Sequence, residues 1–294
     1  MGKTITKKEA LFKTGKKLGS GFFSTVYKLG NGNIFKKIKT EEITASLKIS
    51  KNDIRKMALK ESRLQNSLSH NNILKCFGLE EKPLGLYLED IDGISLTKYL
   101  AKNKTVDINK RISIAKMLAN GVAYMHKEKI AHGDLKTDNI IVSQNAEKVK
   151  IADFGVAVSQ KHGETFELQD YQYALYDDIG VCPDKIDIIQ LGLMLKTIFS
   201  DFFKDIDDKE IRYKFNNKEN QDMVNLTNIR DRAYEDGVAN IVKLIEKEKS
   251  FSRPAILFLE NTPKEIESLV NDCISSNPSQ RLDADHIVGV LSKY

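Results

Sequence analysis

The octapeptide His132-Gly133-Asp134-Leu135-Lys136-Thr137-Asp138-Asn139, with Asp153-Phe154-Gly155 fourteen residues beyond it, constrains this chain more than any other stretch. It places a candidate proton-accepting carboxylate, a cation and two candidate metal ligands in one short segment. Between the two motifs, Ile140-Ile141-Val142 and Val149-Lys150-Ile151 are β-branched runs separated by polar residues 143–148, which is a hairpin signal. Asp134 and Asp153 are expected to flank that hairpin. Moving a phosphoryl group asks for aligned reactants, Mg²⁺ and cations that neutralise phosphate oxygens, and for little covalent chemistry. The stretch supplies those parts, and its order and spacing carry the inference. Taken singly, Asp134, Asp138 and Asn139 would pass for ordinary turn or cap residues, and Asp153-Phe154-Gly155 for a strand followed by a turn.

Upstream, Leu18-Gly19-Ser20-Gly21-Phe22-Phe23-Ser24-Thr25-Val26 lies between two β-prone runs, where Gly19 and Gly21 would let a hairpin approach a polyphosphate closely. Ser24 replaces the third glycine of G-x-G-x-x-G and no helix signal follows, which argues against a dinucleotide-binding fingerprint. After a Gly30-Asn31-Gly32 turn, Asn33 to Lys39 reads as a strand whose alternation puts Ile34, Lys36 and Ile38 on one face. Lys36 is the cation expected to reach the α- and β-phosphates. Residues Ile54 to Leu68 read as a helix with Met57, Leu64 and Leu68 as its apolar stripe. Within it, Glu61 is the carboxylate best placed to pair with Lys36, and His70-Asn71-Asn72-Ile73 fixes the register.

In this order the segments resemble a eukaryotic-type protein kinase of the Ser/Thr-like kind, with H-G-D in place of H-R-D, from about Phe12 to Leu291. The resemblance implies an α+β, bilobal fold: an extension over 1–11, a β-rich N-lobe over 12–89, and a helical C-lobe over 90–294 that includes a polar insert at 201–250. It implies ATP and Mg²⁺ as cofactors and a protein as substrate. Asp134 would orient and deprotonate the acceptor hydroxyl, while Asn139 and Asp153 hold the metals. Lys136 would sit over the γ-phosphate, and Lys36, braced by Glu61, would handle the other phosphates. Leu18, Gly19, Ser20, Gly21, Phe22, Phe23, Ser24 and Val26 would enclose the nucleotide from above. Leu88 takes the gatekeeper position, Glu89, Asp90 and Ile91 would bind adenine through their main chain, and Ile141 would pack beneath the base. Asp187 to Gly192 resembles the start of the helix that anchors the catalytic loop, and Asn277-Pro278-Ser279-Gln280-Arg281 resembles a late element carrying a buried arginine.

The sequence also departs from the family. Gly133 stands where an arginine usually receives the activation-loop phosphate, so activity is expected not to depend on a phosphate docked there. No A-P-E motif is recognisable, the nearest alignment being Ala174-Leu175-Tyr176, and Arg281 is expected to take Asp177 or Asp178 as its carboxylate. Gln65 and Cys76 replace apolar residues that usually stack on Phe154, which predicts a loosely packed stack. Ile34 replaces the small residue that roofs adenine, which predicts a narrowed pocket. Ser159, Thr165, Tyr171 and Tyr173 are candidate autophosphorylation sites. Two further readings stay open: a pseudokinase scaffold, and a small-molecule phosphotransferase, whose relatives also use H-G-D followed by Asn. The full set of phosphate, metal and proton groups favours activity, and Asp153-Phe154-Gly155, Lys136 and the His70-Asn72 segment favour a protein kinase.

At 294 residues the chain accommodates a two-lobed catalytic domain and almost nothing more. Its net charge of +5 is spread along the chain, which argues against nucleic acid as a partner. Cys76, Cys182 and Cys273 are scattered and odd in number, as suits a reducing, cytoplasmic compartment. No stretch reads as a membrane span or a signal peptide. Met1-Gly2-Lys3-Thr4-Ile5-Thr6 fits an N-myristoylation pattern, with Lys7 and Lys8 facing anionic lipid, and would give weak membrane association through Gly2. The Lys, Asn and Ile bias fits an AT-rich microbial genome, and a secreted effector would work in the host cytosol. The polar region 201–250 reads either as a docking region or as solvated surface.

Overall fold

The computed structural model describes residues 15–103, 105–159, 183–200, 258–274 and 281–294. Its N-terminal part is a five-stranded antiparallel sheet in the order β1-β2-β3-β5-β4, from β1 (Lys16–Ser20), β2 (Ser24–Lys28), β3 (Ile34–Ile38), β4 (Cys76–Glu81) and β5 (Leu84–Leu88). The β2–β3 turn closes through the Leu29 amide on Asn33 O at 2.8 Å, and Gly32 supplies the positive φ of 81° that this turn needs. Between β3 and β4 run α1 (Thr40–Leu47) and α2 (Lys51–Asn66).

Helix α2 starts earlier than the apolar pattern predicts because Ser50 caps it, its hydroxyl accepting the Asp53 amide at 3.1 Å. The expected stripe is also wrong at one end. Met57 is 40 % exposed, and the buried face is Ile54, Ala58, Glu61, Ser62, Leu64 and Gln65. Polar groups lie on this face because each finds a partner against the sheet. Arg55 ties the same helix to the end of β4, donating from Nε to Glu81 Oε2 at 2.7 Å.

The second part is helical: α3 (Leu96–Lys102), α4 (Ile108–Lys127), α5 (Pro183–Ile198), α6 (Lys264–Cys273) and α7 (Ala284–Leu291). Two small sheets sit on it, β6-β8-β9 from β6 (Gly93–Ser95), β8 (Ile140–Ser143) and β9 (Val149–Ile151), and the pair β7 (Ile130–Ala131) with β10 (Val158–Ser159). The predicted hairpin is β8–β9, antiparallel with Ile141 opposite Lys150. Helix α5 buries Ile186, Ile188, Leu191, Met194, Leu195 and Ile198, as a helix does when neighbours cover it on several sides. At Gly192 it runs so close to α6 that a Cβ there would lie 2.6 Å from Cys273 Cβ. The architecture is the expected mixed α+β, a sheet-based N-terminal part on a helical C-terminal part. No helix among the described residues is long and apolar enough to cross a membrane.

Candidate active site

Strand β3 pairs with β2 and β5 on either side, so Lys36 lies opposite Val26 and Leu86 near the middle of the sheet. Its Nζ reaches Glu61 Oε1 on α2 at 2.8 Å and Asp153 Oδ1 at 2.7 Å. Burial disfavours the Lys36 cation, but these two carboxylates outweigh it and hold its pKa above the ordinary lysine value. The carboxylates respond differently to one cation. Glu61 keeps only 8 % of its side chain exposed, and desolvation lifts its pKa despite Lys36. Asp153 keeps 47 %, and although burial opposes its charge, Lys36 holds it at about 2.

The catalytic loop hangs from α5. The carboxylate of Asp187, fully buried, accepts the His132 amide at 2.7 Å and the Gly133 amide at 2.8 Å, with His126 Nε2 at 3.0 Å. His132 lies between Nε2 on Ala152 O at 3.1 Å and Nδ1 facing the Asp134 amide at 3.3 Å, which fits a ring protonated on Nε2. That ring packs on Phe154, with centroids 4.9 Å apart. Lys136 Nζ sits 2.7 Å from Asp134 Oδ2, and Asn139 Nδ2 donates to Asp134 O at 2.8 Å and Oδ2 at 3.1 Å. Asp153 is held in the left-handed region at φ 68°. Two clusters thus form around the β8–β9 hairpin: Asp134, Lys136 and Asn139 before it, and Asp153 with Lys36 and Glu61 after it.

A separate apolar cluster of Ile34, Leu74, Cys76, Leu86, Leu88 and Ala152 joins the sheet to the residue before Asp153, with Val26 and Ile141 packed against it. Ile91 is buried. The hinge narrows one expectation. The Glu89 amide is spent on Lys75 O at 3.0 Å, so only the Glu89 carbonyl is left to face a base. The Glu89 side chain accepts the Lys75 amide at 2.6 Å and pairs with Lys150 on β9 at 2.7 Å. On the outer side, Lys28 pairs with Asp90 at 2.7 Å and Asp92 at 3.4 Å, and Gln144 donates to Asp92 Oδ2 at 3.1 Å.

The glycine-rich loop closes with the Gly21 amide on Ser24 O at 2.9 Å, and Ser20 and Thr25 share a hydroxyl contact of 3.0 Å. A Cβ at Gly19 or Gly21 would meet nothing within 4 Å, so these glycines leave open space beside the loop. Leu18, Phe22 and Phe23 are exposed, the two rings meeting edge to face at 4.9 Å. Lys39 donates to Gly21 O at 2.7 Å. Sequence reasoning missed this tie, and also Lys28, Lys150 and Gln190. The signal for Lys39 lay in the basic run that continues one residue past β3, but nothing in the sequence pairs Lys150 with Glu89.

The family departures resolve unevenly. Gln65 is 1 % exposed and donates to Leu74 O at 2.7 Å, and Cys76 is equally buried with Ser62 Oγ at 3.7 Å. Each polar replacement is thus buried with a specific partner of its own. Ile34 sits opposite Leu88 in the sheet and is buried. Ser159 lies in β10 opposite Ile130. Arg281 is buried, and Lys185 donates to its carbonyl at 2.9 Å. Residues 1–14, Thr165, Tyr171, Tyr173 to Asp178, Cys182, the region 201–250 and Asn277 to Gln280 lie outside the described residues.

A family model, that of the protein kinase domain, matches residues 12–290. The chain belongs to the protein kinase family. This kinase domain is 32 % identical over 204 residues to a probable serine/threonine-protein kinase of Dictyostelium discoideum, covering 64 % of the chain and 40 % of the relative. It is 35 % identical over 161 residues to mitogen-activated protein kinase kinase kinase 3 of Arabidopsis thaliana, covering 53 % and 25 %. To Aurora kinase C of Mus musculus it is 31 % identical over 155 residues, covering 50 % and 53 %. The kinase domain thus spans well under two thirds of the length of each of these relatives.

Proposed function

We propose that this chain is an ATP- and Mg²⁺-dependent protein kinase that transfers the γ-phosphoryl group to a Ser or Thr hydroxyl of a protein substrate. The observation that carries the reading is Lys36 Nζ, which lies within 2.8 Å of carboxylates from two segments far apart in sequence. Such a cation is placed for phosphate oxygens and kept charged by its neighbours. Asp134 takes the acceptor proton, its carboxylate oriented by Asn139 and Lys136. Lys136 also meets charge developing on the transferred group. The Glu89 carbonyl and the Ile91 main chain hold the base, with Ile141 beneath it and the residues Leu18 to Ser24 and Val26 above.

The metal donors fit Mg²⁺. Asn139 spends its amide nitrogen on Asp134, which leaves the carbonyl oxygen for a hard cation, and Asp153 spends Oδ1 on Lys36, which leaves Oδ2. One amide oxygen and one carboxylate match a cation that completes its shell with water and substrate phosphates. When bound, Mg²⁺ would neutralise charge on the phosphate oxygens. The lobes would divide at residue 89, and the enzyme would work in a reducing cytosol, with acylation at Gly2 as a weak membrane tether.

Incubation of wild type and Asp134→Asn with Mg-ATP and generic protein acceptors tests the reading. Transfer to Ser and Thr by wild type alone is expected. ATP binding without transfer would point to a scaffold, and ATP consumption only with a small alcohol would point to a small-molecule phosphotransferase.

A further inference from the structure

Gln190 sits three residues after Asp187 on α5, so both side chains leave the same face of that helix. Asp187 takes the amides of His132 and Gly133. Gln190 takes the next groups along: its Nε2 donates to Gly133 O at 3.0 Å, and its Oε1 accepts the Leu135 amide at 2.8 Å. Gly133 O belongs to the peptide plane entering Asp134, and the Leu135 amide belongs to the plane leaving it. Fixing both planes fixes φ and ψ of Asp134, and with them the direction of its Cα–Cβ bond. A side-chain amide is suited to this task because it offers a donor and an acceptor side by side.

The need for such a clamp comes from Gly133. Its φ of 76° lies where glycine rests without strain, but glycine is also the residue with most backbone freedom to lose. It has no side chain to anchor the loop. We propose that Gln190 is a positioning residue for Asp134, holding from the helix side the two peptide planes that His132 Nδ1 and Asn139 Nδ2 also touch, in register with Lys136 and Asn139. This rests on the kinase reading of the site.

The test compares full-length wild type, Gln190→Met, Gln190→Glu, Asp187→Ala and Asp134→Asn. Steady-state phosphotransfer, thermal unfolding and amide exchange over residues 131–137 are followed for each. Gln190→Met keeps the side chain's length and loses both bonds. Its kcat is expected to fall about tenfold or more, with KM for ATP within about twofold, since misplacing a reacting group costs turnover before binding. Exchange over 131–137 should quicken, with the unfolding temperature falling less than in Asp187→Ala because the two freed groups are only part-buried. Gln190→Glu keeps the acceptor for Leu135 and should fall between. Wild-type kcat in Gln190→Met, or parallel losses in KM, kcat and unfolding temperature, would overturn the assignment. Should wild type transfer no phosphate at all, the kinase reading fails by itself. Loop exchange then decides the clamp: faster exchange in Gln190→Met supports it, and unchanged exchange overturns it.

Discussion

Oδ1 of Asp187 lies 2.8 Å from the amide nitrogen of Gly133. A carboxylate sealed in the helical core thereby fastens the loop that carries Asp134, and it does so at the residue with a left-handed backbone. The loop's geometry is consequently a property of α5 as much as of its own sequence.

Removing that carboxylate should be costly. Asp187→Ala leaves the His132 and Gly133 amides without their acceptor, and buried donors stripped in this way predict a loss of about 3 kcal/mol. Asp187→Asn retains one acceptor oxygen and should lose about half as much. Urea unfolding of the two variants beside wild type checks the ordering.

Lys36 and its two carboxylates predict opposite pH responses. Asp153 is held below its ordinary value of 3.8, so its contribution is present above that value and lost as pH falls through about 2. Glu61 is raised above its ordinary 4.5 by burial, so the stability tied to its proton is full below 4.5 and lost as pH rises through the raised value. Taking away Lys36 exaggerates the second effect. Lys36→Met should be more destabilised at about pH 8 than at about pH 5, and adding Glu61→Gln should flatten that slope. A deficit equal at both pH values would contradict this.

Arg111 on α4 donates to the carbonyls of Val106, at 3.0 Å, and of Ile198 at the end of α5, and burial lowers its pKa. A guanidinium there suits the negative end of a helix. Arg111→Met strips these carbonyls of a charged donor and is expected to cost about 2–4 kcal/mol, with Arg111→Lys recovering part of it. Chemical denaturation midpoints will read the difference.

Two helical glycines should respond with opposite signs. A Cβ at Gly192 would meet Cys273 Cβ at 2.6 Å and Ile274 Cγ2 at 2.8 Å, whereas one at Gly289 on α7 would meet nothing within 4 Å. Gly192→Ala should destabilise by about 1–3 kcal/mol through overpacking. Gly289→Ala should stabilise by about 0.5–1 kcal/mol through restricting the unfolded chain. Unfolding temperatures measured side by side give the signs directly.

Much of the site was legible because its residues are adjacent in sequence. The β8–β9 hairpin follows from β-branched runs, and Lys36 from strand alternation beside Val26. Helix α2 was misread at Met57 for a physical reason: its buried face carries Glu61, Ser62 and Gln65, and a hydrophobic pattern assigns such residues to solvent. Only their partners, Lys36, Cys76 and the Leu74 carbonyl, reveal that they face inward. Gln190 and Lys150 were illegible on the same ground, since each acts on a segment more than fifty residues away in the chain.

The Lys28 contacts give the hinge an unusual dependence on its surroundings. Lys28 reaches Asp90 and Asp92 from the sheet, and Gln144 reaches Asp92 from the β8–β9 turn, with the Asp92 side chain 75 % exposed. The longer link, to exposed Asp92, loosens as the screening length shrinks to about 3 Å in molar salt, while the link to Asp90, whose side chain is 13 % exposed, is screened less. Dissolved salt would then tune the outer part of the joint between sheet and helices, leaving the Asp90 link to hold it.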